Sequence, residues 1–369
     1  MASLRVAPSQ PRRCMRAGTG RRHGQSPGAK RTAHVVAAPA ADWASCCSNS
    51  ACVRAPLAIE VPDRGPMRGR DPIAPSIELG SWLAGLATGP GGPRRYYLYQ
   101  PPNLRAEEGH LPVMVMLHGC GQMAMDFARI TRMHQLAARE RFFVLYPEQD
   151  RLANSKGCWN WCERTSGLAV AEAATLMAAI NQVCKQYSTD PHRIAVAGLS
   201  AGASMAALLA SLFPQRIKAV AMHSGVAPGA AMSALTAMSA MTGLHAPPIT
   251  FTAVGKAVRA AAAGTTLPGL FVLHGDADDV VAPSNADSTA GIWSMATGSA
   301  IGTERTWQHE GRHAVHETEF TRKGRTIVTL CKVQGLGHAW SGGTTGLPYS
   351  DMRGPCATRM FWNFAKCQF

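Results

Sequence analysis

The chain has 369 residues, 46% of them hydrophobic, and a formal net charge of +14. Residues 1–72 hold twelve Lys/Arg against four Asp/Glu, so more than half of the excess belongs to a solvated tail, and nucleic acid is not an expected partner. No apolar run reaches the roughly 18 residues needed to cross a bilayer, and no membrane partner is expected either.

Residues 1–72 are rich in Ala, Arg, Pro and Gly and show no repeating apolar period, which predicts a disordered basic tail. A secretory leader would place basic residues before a continuous apolar stretch and a small-residue cleavage site. Pro, Arg and Gly interrupt that order throughout the first 50 residues, so no export signal is legible, and Met67 offers an alternative start. The tail also contains Gly24-Gln25-Ser26-Pro27-Gly28, which spells G-x-S-x-G. Ser26 has no strand before it and no helix after it, and Pro27 lacks the N–H that an oxyanion hole needs, so Ser26 reads as a tail residue. Eleven cysteines divide into Cys14, Cys46, Cys47 and Cys52 in the tail and seven later. The later seven suggest some disulfides and an oxidising compartment, with buried reduced thiols as the alternative.

Beyond the tail, residues 95–100 (RYYLYQ) read as a strand and 112–117 (PVMVML) as a buried strand ending at His118-Gly119. A helix is predicted over about 124–140, a strand over 142–146, a helix over 168–187 and a strand over 193–197. A helix follows from 201, then strands at about 217–222 and 268–275 and a helix after Pro283. A polar hairpin over 304–322, a strand over 326–333 and a last helix over roughly 356–366 complete the pattern. Strands alternating with helices imply a mostly parallel sheet with helices on both faces. Residues 226–266, low in charge and rich in Ala, Gly, Met and Thr, interrupt the rhythm and read as a small insertion over the sheet edge. The catalytic domain is expected to cover 93–369.

Gly198-Leu199-Ser200-Ala201-Gly202 sits between the strand RIAVA and an alanine-rich helix. A serine on such a sharp turn is a candidate nucleophile. The glycines leave room that side chains would fill, and the helix N-terminus faces negative charge developing beside the serine. Its hydroxyl needs an imidazole to take its proton and a carboxylate to hold that imidazole. The strand over 268–275 ends in Asp276-Ala277-Asp278-Asp279, and the strand over 326–333 leads to Gly335-Leu336-Gly337-His338. Ser, Asp, His is the chain order of α/β hydrolases. The spacing H-G-x-x-D-x-x-V from His274 to Val281 places Asp278 in the acid slot, with Asp276 in reserve and Asp279 as a turn residue. His309-Glu310-Gly311-Arg312-His313 spells H-E-x-x-H, but that motif binds zinc only on a helix, and Gly311 here marks a hairpin turn. No metal or cofactor is expected. Ala201 and the His118-Gly119-Cys120-Gly121-Gln122 loop supply the expected oxyanion donors, the N–H groups of Ala201 and Cys120, with His118 organising the loop. Trp159, Trp161 and Trp340 flank the site, and Trp159 and Trp340 are candidates for substrate contact, Trp340 foremost.

LHGCGQ (117–122), LYPEQ (145–149), GCWNW (157–161), GLSAG (198–202), HGDADDVV (274–281) and GLGHAWSGG (335–343) together resemble the polyhydroxybutyrate depolymerase-type esterases, close to feruloyl and acetylxylan esterases. The resemblance runs from about residue 93 to 366. It implies an α/β-hydrolase fold, a Ser200/Asp278/His338 triad, an oxyanion hole from Cys120 and Ala201, and an extracellular setting. It also implies a Cys120–Cys158 disulfide fixing the oxyanion loop against Trp159-Asn160-Trp161. Relatives of this type that attack solid polyester carry a linker and a separate binding module, which this sequence does not contain after its catalytic region. The expected activity is therefore hydrolysis of short 3-hydroxyalkanoate esters or oligomers. A feruloyl or acetylxylan esterase is the second enzyme reading, and a non-catalytic binding protein keeping the fold is the reading of another class.

Overall fold

Uninterrupted apolar runs are what strands buried on both faces require, and in this chain they form the middle of one sheet. The computed structural model describes residues 80–243, 251–262 and 264–369. The tail over 1–72, with Ser26, Cys14, Cys46, Cys47, Cys52 and Met67, lies outside the described residues, as do 244–250 and 263 of the expected insertion.

The strands are β1 (Ser81–Ala87), β2 (Arg94–Gln100), β3 (Leu111–Leu117), β4 (Phe143–Pro147), β5 (Thr189–Leu199), β6 (Ile217–His223), β7 (Gly269–Gly275), β8 (Ala300–Trp307), β9 (Val315–Arg322) and β10 (Arg325–Val333). They form a ten-stranded sheet in the order β1-β2-β4-β3-β5-β6-β7-β10-β9-β8. The stretch from β4 to β10 is parallel, and the antiparallel strands sit at the two ends. After β3 the chain steps one way to β4, and from β5 onward it steps the other way. The crevice between the carboxyl ends of β3 and β5 is thus the switch point where open α/β sheets bind ligands.

Helices cover both faces: α1 (Ala124–Thr131), α2 (Met133–Glu140), α3 (Leu168–Gln186), α4 (Ala201–Leu212), α5 (Ala234–Met241), α6 (Phe251–Ala261), α7 (Ser284–Thr297) and α8 (Ala357–Lys366). Alternation along β3 divides the core. Val113, Val115 and Leu117 meet Leu176, Ile180, Met205 and Trp293 on one face. Met114 and Met116 meet Phe127, Leu136, Phe361 and Trp362 on the other. The expected α/β-hydrolase architecture is therefore present.

Two differences have identifiable physical causes. The helix expected over 124–140 is two helices, broken at Arg132, whose φ is 52°. The carbonyls of Ile130 and Thr131 accept hydrogen bonds from Thr344 N–H and Thr358 Oγ1, which competes with helix continuation. The sheet begins at Ser81, before residue 93, because β1 pairs with β2 as a largely exposed edge strand with little apolar alternation to announce it. The expected insertion carries α5 and α6, and α5 lies at the rim: Ala282 N–H donates to Met241 O at 2.7 Å and Asn285 Nδ2 to Ala240 O at 2.9 Å.

Candidate active site

Ser200 joins β5 to α4 with φ 56° and ψ −122°, a backbone conformation that strains any residue bearing a Cβ. The turn closes because its neighbours are glycines. A Cβ on Gly198 would lie 2.3 Å from Gly202 C, and one on Gly202 would lie 2.1 Å from Leu117 O. Ser200 N–H donates to His223 O at 2.8 Å, which pins the turn to β6. Ala201 is the first residue of α4, so its N–H is among those that lack an intrahelical acceptor.

Asp278 lies in the loop after β7 and is buried. Its Oδ1 accepts Val280 N–H at 3.1 Å and Val281 N–H at 2.8 Å. Its Oδ2 lies 2.8 Å from His338 Nδ1 and 3.3 Å from His274 Nε2. Burial opposes the charge on this carboxylate, but the hydrogen bonds from His274 and His338 outweigh it and hold the carboxyl well below the usual range. His274 Nε2 also bonds Val281 O at 2.9 Å. The structure brings Asp278, not Asp276, to His338; Asp276 Oδ1 instead accepts Gly335 N–H at 2.6 Å and braces the loop that carries the histidine. That loop approaches β7 closely because position 275 is glycine, where a Cβ would sit 1.8 Å from Leu336 O.

The loop after β3 is held from several sides. Cys120 and Cys158 are joined, S–S 2.05 Å, as the resemblance implied. His118 is buried, with Nδ1 at 2.8 Å from Gly119 O and Nε2 accepting Gln149 N–H at 3.0 Å. Burial lowers its pKa to about 4, so it is a neutral brace. Gln122 Oε1 accepts Gly119 N–H at 2.7 Å. Beneath the Cys158–Asn160 segment, buried Glu172 binds Arg94 Nη2 at 2.7 Å, Gln149 Nε2 at 2.7 Å and Asn160 N–H at 2.6 Å.

A pocket of about 140 Å³ opens at the switch point, lined among others by Cys120, Gln122, Ser200, Met241, His338 and Tyr349. Ser200 and His338 share it, although no hydrogen bond joins them among the described residues. Trp159 and Trp340 do not line it, which corrects the sequence expectation. Both are buried. Trp159 Nε1 donates to His118 O at 2.9 Å, and Trp340 Nε1 donates to Thr358 Oγ1 at 3.1 Å while its ring stacks on His223. A large side chain two residues from a site loop is as well used holding that loop as touching a ligand. Sequence reasoning missed Gln122, Met241 and Tyr349 as pocket residues. It also missed the bracing role of His274, although the H-G-x-x-D spacing already set it four residues before Asp278.

Residues 309–313 lie in the turn joining β8 and β9, with Gly311 at φ 66°, so His309 and His313 share no helix face. The hairpin expectation holds. No cluster of three or more His, Cys, Asp or Glu suited to a metal occurs among the described residues.

The strand order, the two helical layers and the strained serine between β5 and α4 define a protein of α/β-hydrolase fold. The family model Esterase PHB depolymerase matches residues 94–315, more than half of the chain. The chain belongs to that family, and with it to the carboxylic ester hydrolases. Cys120, Ser200 and Asp278 fall inside the matched stretch, and His338 lies beyond it. The chain is 30% identical over 213 residues to poly(3-hydroxyalkanoate) depolymerase C of Paucimonas lemoignei, an alignment covering 56% of this chain and 49% of that protein. It therefore spans about half the length of that relative. It is 29% identical over 253 residues to feruloyl esterase B of Thermothelomyces thermophilus, covering 66% of this chain and 82% of that one. Among solved structures, acetyl xylan esterase from Aspergillus awamori aligns with a TM-score of 0.60 at 20% identity over 70% of this chain and 94% of that one, a likeness of fold.

Proposed function

We propose that this protein is a serine esterase that hydrolyses short 3-hydroxyalkanoate esters or oligomers through a Ser200, His338 and Asp278 relay. His338 Nε2 takes the Ser200 proton as Oγ attacks the ester carbonyl, and Asp278 keeps the other imidazole proton on Nδ1 and balances the positive ring. The N–H groups of Cys120 and Ala201 receive the developing oxyanion. His338 then protonates the leaving alcohol, and water repeats the sequence on the acyl-enzyme to release the acid.

The observation that carries this reading is the 2.8 Å contact between His338 Nδ1 and a four-fold hydrogen-bonded Asp278, opening on the pocket that Ser200 lines. An active-site phosphonate is expected to label Ser200, and Ser200→Ala is expected to lower turnover of p-nitrophenyl acetate by on the order of 10⁶. Loss of less than about tenfold, or no labelling, would leave a binding protein on this fold as the better reading.

The family and the depolymerase relative support hydroxyalkanoate esters. The feruloyl esterase relative, covered over more of its length, supports a second substrate reading, aromatic or acetyl esters of plant polysaccharide. Turnover of 3-hydroxybutyrate oligomers against methyl ferulate and acetylated xylan separates the two. The disulfide at the oxyanion loop supports an extracellular setting.

A further inference from the structure

The H-E-x-x-H turn has a use other than metal. Its Gln308, Arg312 and His313 line, with Gln334, Gly335 and Arg353, a cleft of about 310 Å³. The cleft sits on the same rim of the sheet as the Ser200 pocket. β10 ends at Val333, which pairs with Gly275 at the end of β7 and with Val315 at the start of β9, itself opposite Trp307 at the end of β8. Two segments run from one pocket to the other. Gly335 lines the cleft and His338, three residues on, lines the Ser200 pocket, a reach of at most about 11 Å. Tyr349 lines the Ser200 pocket and Arg353, four residues on, lines the cleft, a reach of at most about 14 Å.

The cleft is basic. Among the described residues the Arg353 guanidinium has no hydrogen-bond or ion-pair partner, and only the backbone of that residue is engaged. Arg312 is pre-positioned: its Nη1 donates to the carbonyls of Met352 and Gly354, leaving the rest of the fork uncommitted. The carboxylates of Asp351 and Asp276 are occupied. Asp351 accepts the N–H groups of Arg353 and Gly354 on Oδ1, at 2.6 and 3.0 Å, and faces His313 Nε2 at 3.3 Å on Oδ2. Asp276 accepts Gly335 N–H. Two arginines thus line a cleft beside aspartates that already have donors, an arrangement suited to a planar oxyanion that accepts bidentate hydrogen bonds.

We propose that this cleft binds the terminal carboxylate of an ester oligomer while an ester bond of the same molecule lies at Ser200, so that the enzyme selects oligomers with a free acid end. The proposal rests on the esterase reading above. Arg353 is then a specificity residue and makes no contact with the reacting atoms.

The test compares the linear trimer of 3-hydroxybutyrate as its free acid with the same trimer capped as the methyl ester. Wild type is expected to favour the acid in kcat/KM, through KM, with the preference shrinking as salt is raised. Arg353→Gln is expected to cut the acid-to-ester ratio by about tenfold, and Arg353→Lys to restore part of it. Equal kcat/KM for the two trimers in wild type, or an unchanged ratio in Arg353→Gln, overturns the proposal. If wild type cleaves neither trimer nor p-nitrophenyl acetate, it is the esterase reading that has failed. Calorimetric titration of the trimer acid into wild type and Arg353→Gln then tests the cleft alone, and equal binding by both overturns it.

Discussion

Replacing Asp278 by Asn changes one charge and almost no volume, and the consequence can be worked from its four partners. Oδ1 accepts two backbone N–H groups, from Val280 and Val281, and lies 3.1 Å from His338 Nδ1, while Oδ2 meets His338 Nδ1 at the shorter 2.8 Å and His274 Nε2 at 3.3 Å. An amide has only one oxygen. The backbone donors cannot change their protonation, so the oxygen stays with them and the new NH₂ faces the two rings. His338 Nδ1, whose shorter contact is to the Oδ2 position, then meets an NH₂ there and accepts from it, which puts the ring proton on Nε2, the nitrogen required as base towards Ser200. Locking the wrong tautomer costs on the order of 10⁴ in turnover, or about 5 kcal/mol of barrier. His274 Nε2–H loses its 3.3 Å contact to Oδ2 but keeps Val281 O at 2.9 Å as acceptor, so the loss of stability is expected to stay at about 1 kcal/mol. The measurement is kcat for p-nitrophenyl acetate together with urea unfolding of Asp278→Asn. Asp276→Asn is the control: it keeps an acceptor for Gly335 N–H and should stay within about threefold of wild type. A folded Asp278→Asn enzyme within about tenfold of wild type would refute the argument, and so would greater damage from Asp276→Asn than from Asp278→Asn.

Two further outcomes concern stability. Glu172→Ala leaves the buried Arg94 guanidinium without its counter-charge and removes the acceptor that holds Asn160, so it is expected to lower the urea-unfolding free energy by about 3–5 kcal/mol; a change below about 1 kcal/mol would contradict that role. Burial lowers His118 and His134 to a pKa of about 4, against about 6.5 in an unfolded chain. Between pH 6.5 and 4 the unfolded state therefore binds protons that the folded state does not, and stability falls as pH falls, by about 3 kcal/mol from His118 alone. Asp278, with its pKa depressed, adds a contribution present above about pH 4 and lost as pH drops further. Urea midpoints at pH 7.5 and 4.5 check this, and equal values would overturn it.

Features written in short-range spacing were legible in the sequence. Gly198 and Gly202 announced the elbow because only a missing Cβ tolerates contacts near 2 Å, and the run of aspartates after β7 narrowed the acid to the residue that meets His338. Features set by distant partners were not legible. The break at Arg132 depends on Thr344 and Thr358, more than 200 residues away. Trp340 is apolar, large and next to the histidine loop, which fits a pocket wall and a core anchor equally; the deciding contacts, Thr358 and His223, come from elements that spacing does not bring together. Tyr349 reaches the pocket because the Trp340–Ser341 bridge to Ser350–Asp351 folds its segment back, a pairing of two residues each.

The size of the two cavities links the chemistry to the substrate. At about 140 Å³, the pocket at Ser200 is well below the several hundred Å³ that usually enclose a drug-sized ligand, so it suits the acyl group under attack and little more. Any longer ester must lie along the rim, where the neighbouring cleft of about 310 Å³ is polar and cationic. An aromatic acid esterified to a neutral sugar would use little of that charge. A hydroxyacid oligomer ends in a carboxylate, and only such a substrate uses both cavities at once. For that reason the acid-against-ester comparison also weighs the hydroxyalkanoate reading against the feruloyl one: a preference for the free acid that disappears in Arg353→Gln favours the former, whereas faster turnover of methyl ferulate with no effect of Arg353→Gln favours the latter.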